Sequence, residues 1–323
     1  MDQINWRAVI AAGLALGLGA CTSLPGMSYQ PEHFQAETTL DLMQRLSSDE
    51  MAGRQTGTTE NKAARYMIVA HMRALGLERI DGSFRQKFYF TPEVDEGEPA
   101  PTKPTKGYNL IGLLHGTDKT SHTLVVTAHY DHLGVIDGEI YNGADDNASG
   151  VAGMLAVAEY FTKNRPRNDV LFVAFDGEEV GHQGSKYFIT HPRVDVSKLT
   201  LNLNLDMISR GDNGILWVSG TAHNPGLKSL VEAVAADAPV TVKMGFDVEG
   251  EGLEDWTLMS DHASFFKAGI PHLYLGVEDH PDYHKPSDEF EKVDQDWFLK
   301  SVDTAVRMAV AAEARLAEIA AAE

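Results

Sequence analysis

The residues able to do chemistry gather in a few short strings. His129-Tyr130-Asp131-His132 holds two histidines and an acid, Asp145-Asp146 and Glu178-Glu179 are carboxylate pairs, Asp206 stands alone, and Tyr283-His284 closes the series. Imidazole nitrogen and carboxylate oxygen are borderline to hard donors. With one cysteine in the whole chain, no thiolate cage is available. Mixed His and carboxylate ligation makes zinc the default ion. The carboxylates outnumber what one tetrahedral zinc needs. A carboxylate bridging two ions would account for the surplus.

Each string follows a segment with a readable pattern. Leu124 to Ala128 and Val170 to Phe175 are short apolar runs of buried-strand type. Residues 199–205 alternate, with leucine at 199, 201, 203 and 205, and His272 to Leu275 is a fourth candidate strand. Between them lie helical patterns. Glu60 to Leu75 ends before Gly76, a C-cap residue, and Val151 to Phe161 follows Asn147 and Ser149 as cap candidates. Asp296 to Ala321 reads as one long amphipathic helix. The alternation predicts an α/β fold with a mixed, mostly parallel central sheet sandwiched by helices. In such sheets ligands bind outside the carboxyl ends of the strands. Four strand ends therefore bring His129, Glu178-Glu179, Asp206 and His284 to one edge. The Asp145-Asp146 cluster joins them at a helix N-terminus that favours negative charge.

Composition narrows the function. There are 47 acidic against 27 basic residues, a net charge of −20, which argues against a nucleic-acid partner. One cysteine cannot close a disulfide within the chain or hold an iron–sulfur cluster. The 43% hydrophobic content is enough for a sizeable core. The start differs from the rest. Ala8 to Ala20 is apolar and uncharged, shorter than the ~20 residues a membrane-spanning helix needs. It fits the core of a secretory signal, and Leu18-Gly19-Ala20-Cys21 resembles a bacterial lipobox. The expected organisation is a signal peptide over 1–20, a tether over 21–35 and a single catalytic domain over 36–323. Lipid on Cys21 would hold the exported protein at a membrane. Thr22, rather than Asp, points to the periplasmic side of the outer membrane. Thr91 to Gly107, with four prolines, reads as a surface loop.

Six strings occur in order: HYDHLG (129–134), GADDNASGV (143–151), DGEEVGHQGS (176–185), NLDMI (204–208), SDHASF (260–265) and DYHKPSD (282–288). Together they resemble the zinc peptidase family that contains bacterial leucyl aminopeptidases, glutamate carboxypeptidase II and the glutaminyl cyclases. The likeness runs from about His129 to Asp294. It implies two Zn2+ per chain, with Co2+ or Mn2+ suited to the same donors. His129 and Asp206 would hold one ion, His284 and Glu179 the other, and Asp146 would bridge. Glu178 would be the general base. Asp131 would accept the other N–H of His129, and Asp288 would do the same for His284.

The implied activity is an aminopeptidase acting on peptides through a metal-bridging hydroxide. Neighbouring residues of a tight turn point apart, so Glu179 can ligate while Glu178 stands free. The alternatives are a glutaminyl cyclase-type acyl transferase with one working zinc, a carboxypeptidase, and a binding module without catalysis. A binding module would have lost ligands, and all are present. Carboxypeptidase relatives use Arg-rich pockets, and no Arg cluster lies near the strings. His132 and His262 are expected to support the site, Asp145 to bond within its turn, and Met207 to pack. Trp256, Phe265, Phe266 and Tyr283 are candidates for a pocket wall.

Overall fold

Apolar runs build the centre of a nine-stranded sheet. The computed structural model describes residues 28–92, 103–248 and 254–322. Its strands are β1 (Glu78–Arg79), β2 (Arg85–Phe90), β3 (Thr105–Leu114), β4 (Thr123–His129), β5 (Gly134–Ile136), β6 (Glu139–Tyr141), β7 (Asp169–Phe175), β8 (Leu199–Leu205), β9 (Ile215–Ser219), β10 (Thr241–Met244) and β11 (His272–Gly276). The sheet order is β1-β3-β7-β4-β8-β11-β9-β10, with β2 also paired to β3, while β5 and β6 form a separate hairpin. The centre, β7-β4-β8-β11, is parallel throughout. Antiparallel pairing enters at β3 on one side and at β9 on the other. Strands β4 and β8 are buried along their whole length. Burial on both faces is why they read as near-continuous apolar runs.

The helices are α1 (Ala36–Leu46), α2 (Thr59–Ala74), α3 (Gly150–Lys163), α4 (Gln183–Thr190), α5 (Lys228–Ala235), α6 (His262–Lys267), α7 (Gln295–Glu313) and α8 (Leu316–Ala322). Side chains of β4 alternate between two cores. Leu124 and Val126 join the core that α3 and α7 pack onto β4 and that α1, α2 and α5 extend, and Val125 joins the core with Phe188 of α4 and Phe265 of α6. Each fully buried Leu, Val or Phe contributes about 1.5–3 kcal/mol to the sandwich.

Capping fixes the helix starts. Asn147 Oδ1 accepts from Gly150 N–H at 2.8 Å and opens α3, while Ser149 Oγ turns back to the Asp145 carbonyl. A Cβ at Gly150 would stand 2.3 Å from the Leu205 carbonyl oxygen. Only glycine lets α3 begin against the end of β8. That contact sets the 143–149 turn beside the strand ends.

Three expectations need correction or placing. The C-terminal stretch is two helices, because α7 ends at Glu313 and α8 restarts at Leu316. The buried Glu313 carboxylate accepts from the backbone N–H groups of Arg167 and Asn168, which ties the end of α7 to the start of β7. Residues 105–107 belong to β3, and 93–102 lie outside the described residues. The signal segment and Cys21 also lie outside them. The end of the expected tether is docked: Tyr29 N–H donates to Asp296 of α7, and Phe34 is buried. Among the described residues no helix is long and apolar enough to cross a membrane.

Candidate metal centre

The strand ends deliver the side chains. His129 closes β4, Asp206 follows β8, and the loop after β11 carries His284. A turn through Gly177, at φ +76°, carries Glu178 and Glu179 past the end of β7. His129 Nε2 lies 3.2 Å from Asp146 Oδ1 and 3.3 Å from Asp206 Oδ1. His284 Nε2 lies 3.1 Å from Asp146 Oδ2 and 3.4 Å from Glu179 Oε2. Donors sharing one tetrahedral zinc, each ~2.0–2.1 Å from the ion, stand ~3.3 Å apart. The two histidine–carboxylate edges of each triad match that length. Asp146 gives one oxygen to each, so the chain's own donors fit a pair of ions.

His132 tests the assignment. It lies with Asp146 and Glu179 as a second way of grouping donors. Its Nδ1, however, is 2.6 Å from Glu179 Oε1, a hydrogen-bond length well inside the ~3.3 Å edge. His132 thus hydrogen-bonds Glu179, while His284 Nε2 stands 3.1 Å from Asp146 and 3.4 Å from Glu179.

The supporting partners differ in part from those expected. His129 Nδ1 donates to the Asp131 backbone carbonyl at 3.2 Å, while the Asp131 carboxylate is 3.9 Å away. That carboxylate instead accepts from Glu178 N–H at 3.2 Å and Thr56 Oγ at 3.0 Å. Asp288 does not reach behind His284. It accepts from the backbone N–H groups of Asp145 and Asp146, at 3.0 and 3.1 Å. An irregular turn leaves these donors without helical partners, and a carboxylate satisfies them. Asp145 does not bond within its turn as expected: its Oδ1 accepts from Ser209 N–H and Oγ at 2.7 Å each, and His280 Nε2 lies 3.2 Å from its Oδ2, so the carboxylate ties the turn to distant loops. Ser260 Oγ holds the second oxygen of Asp206 at 2.6 Å.

Arg54 was not among the expected residues. It is fully buried beneath the centre. It donates to the carbonyls of Tyr130, Leu46, Asn142, Gly143 and Asp146. It comes from a turn far upstream of the strings in which Ala52, Gly53 and Arg54 all have positive φ, and of these only the glycine is a turn signal in the sequence. His182 was also unassigned. Its Nε2 is 3.0 Å from Glu178 Oε1.

The buried carboxylates favour positive charge on both histidines. Burial alone would lower the His129 imidazolium, but the carboxylates of Asp206, Glu178 and Asp146 outweigh it and hold the pKa well above its usual value. Burial opposes His284 in the same way, and Asp146 and Glu179 push it up to about 10. Burial pushes the Glu178 carboxyl well above the usual carboxylate range and Asp131 up to about 8. Protons on the two imidazoles stand where positive charge is wanted.

The donors open into a cleft of about 300 Å³. Trp256 and Tyr283 line it, together with Met207, Tyr274 and Val277. Phe265 lies in the core with Phe188, and Phe266 packs on His223. His262 Nε2, 2.9 Å from the Trp256 carbonyl, supports the wall from behind. Glu254 and Asp279 add two carboxylates, and among the described residues the lining contains no Lys or Arg.

A family model described as Peptidase family M28 matches residues 109–309. Aminopeptidase YwaD of Bacillus subtilis is 27% identical over 209 residues, 60% of this chain and 42% of that relative's length. The crystal structure of BSAP, a zinc aminopeptidase from Bacillus subtilis, superposes with a TM-score of 0.67 at 17% identity, covering 85% of this chain and 94% of that one. Porphyromonas gingivalis glutaminyl cyclase gives 0.66 at 21% identity, covering 86% and 98%. These two likenesses establish the fold.

Proposed function

The chain belongs to peptidase family M28, and on that premise we propose that it is a di-zinc exopeptidase releasing N-terminal residues from peptides. The observation that carries the reading is Asp146, which turns one oxygen to His129 and the other to His284 at 3.2 and 3.1 Å. His129 and Asp206 would hold one ion and His284 and Glu179 the other, with Asp146 offering an oxygen to each. When bound, zinc lowers the pKa of a coordinated water from 15.7 to about 7 and polarises the substrate carbonyl. Co2+ or Mn2+ would suit the same donors.

The remaining steps belong to the chain. Glu178 stands beside the donors without being one of them, and its carboxylate takes the proton of the attacking water. It then delivers that proton to the leaving amine. Three ligand carboxylates against two dications leave a net positive charge of about one, so Glu178 stays ionised despite its burial. Asp131 holds the Glu178 backbone in place.

The acidic lining favours one end of the peptide. Glu254 and Asp279, with no Lys or Arg among the described residues of the cleft, suit a free α-amine and repel a terminal carboxylate. This supports aminopeptidase over carboxypeptidase action. The test is a panel of peptides with free and blocked N-termini, run with Glu178→Gln as control. Cleavage confined to free amines is expected, with turnover of the variant down by about 10²–10⁴-fold at unchanged zinc content. Cleavage of blocked peptides from the C-terminus, or a variant with full activity, would overturn the reading. The glutaminyl cyclase likeness supports a second reading, which cyclisation of N-terminal glutamine would reveal. The apolar 8–20 segment and Cys21 support an exported protein, lipid-anchored at the periplasmic side of the outer membrane.

A further inference from the structure

Glu178 has a neighbour with no part in the reaction as described. His182 Nε2 lies 3.0 Å from Glu178 Oε1, and both side chains are mostly buried in the cleft wall. The turn that carries them folds back on itself. The Glu178 carbonyl accepts from Gly181 N–H at 2.8 Å and from His182 N–H at 2.9 Å, and Gly177 accepts from Gln183 N–H at 2.8 Å. This closure brings the imidazole over the carboxylate.

The backbone at His182 is unusual for its residue type. It sits at φ +54°, ψ 37°, in the left-handed region. Two neighbours in the same turn, Gly177 and Gly181, also have positive φ, and both are glycine, which adopts it freely. A β-carbon at 182 carries strain that a glycine would relieve. The side chain there has two polar neighbours in the cleft wall, the Met259 backbone and the proposed base, and of these the base is the ionisable one.

We propose that His182 is a positioning residue for Glu178. With its proton on Nε2 the ring is within donor reach of Oε1, and turning that N–H onto the oxygen would fix the rotamer of the carboxylate. The other oxygen is left to exchange the reaction's proton. Asp131 already fixes the Glu178 main chain through its N–H at 3.2 Å. The residue is thus held at both ends, by an acceptor on its backbone and a donor on its side chain. The proton ledger stays that of a single base. Glu178 takes one proton from water and gives it to the leaving amine, and His182 keeps its own throughout. This inference rests on the reading of Glu178 as general base.

Three variants of the full-length, zinc-loaded protein test it, with kcat, KM, zinc content and thermal unfolding measured for each. His182→Leu removes the donor at similar volume. Its kcat is expected to fall by about 10–100-fold, the cost of a misaligned catalytic group, with KM and zinc content unchanged. His182→Gln returns an N–H donor at similar reach and is expected to recover most of that loss. His182→Gly relieves the backbone strain, so it should unfold at the same or a higher temperature while kcat stays low. A purely structural histidine would not separate stability from kcat in this way. The proposal is overturned if His182→Leu keeps kcat within about twofold of the parent. It is also overturned if His182→Gln recovers nothing, or if kcat loss follows zinc loss. Glu178→Gln, assayed alongside, separates the two readings. A fully active Glu178→Gln defeats the base assignment itself. An inactive Glu178→Gln beside a fully active His182→Leu defeats only the positioning role.

Discussion

Arg54 offers a quantitative test of how the centre is held. Its Nε donates to the Tyr130 carbonyl at 2.9 Å, and Nη1 to Leu46 at 3.0 Å and to Asn142. Nη2 reaches Gly143 at 2.7 Å and Asp146 at 3.2 Å, in the turn that aims the bridging carboxylate. Burial pushes the guanidinium pKa down, and the carboxylates of Asp146, Asp288, Asp131 and Glu179 pull it back. Arg54→Lys keeps the charge but has three donors in place of five. At least two buried carbonyls then lose their partner. Each costs about 1–3 kcal/mol, so the range is about 2–6 kcal/mol. The Gly143 carbonyl keeps a long bond from Ala148 N–H at 3.3 Å, which favours the lower half of that range. A domain with about 5–15 kcal/mol of stability would still fold. The assay is urea unfolding in saturating zinc, with bound zinc counted. A loss of about 2–4 kcal/mol is expected, together with weaker zinc retention. A loss under about 1 kcal/mol at unchanged zinc content would refute the reasoning.

Asp146→Asn removes the charge shared by both triads. Bound zinc is expected to fall below two per chain and turnover to be lost, and a variant retaining two ions and activity would count against a bridging role. Metal removal should also change the pH dependence of stability. In the chelated protein burial raises Glu178 well above the usual range, Asp131 to about 8 and Asp261 to about 7. A raised folded-state pKa means stability present at low pH and lost as pH climbs through that value. The metal-free protein should therefore unfold at lower temperature at pH 9 than at pH 7, and zinc should flatten that slope; a rise over the same window would contradict the assigned shifts. Cys21→Ser is expected to move the expressed protein from the detergent phase to the aqueous phase in a detergent partition, and no shift would count against the lipid anchor.

What the sequence made legible follows from burial. His129, Glu179 and Asp206 each sit just past a run that must be a buried strand, so their convergence could be read without coordinates. His284 was reached less directly, because the seven residues between β11 and it carry no periodicity. Partners of the ligands were harder. Which N–H groups Asp131 and Asp288 accept depends on which donors the irregular turns leave free, and no pattern in the chain encodes that. Arg54 is one charged residue in a polar stretch, and only the packing of the 143–149 turn onto it makes it central. The break between α7 and α8 falls in an alanine-rich stretch with no local breaker. A tertiary contact, Glu313 with the start of β7, accompanies it. Strand β2 was legible in principle. Gln86, Phe88 and Phe90 point inward while Arg85, Lys87 and Tyr89 face out, but the long outward side chains mask the alternation.

The central claim is that two ions, joined by Asp146, drive removal of N-terminal residues. The most direct measurement is a zinc titration of the chelated protein, with bound metal and hydrolysis of a free-amine peptide followed together. Full activity reached only as the second equivalent binds is the expected result. Saturation at one zinc per chain with activity complete, or with cyclisation of N-terminal glutamine in place of hydrolysis, would contradict it.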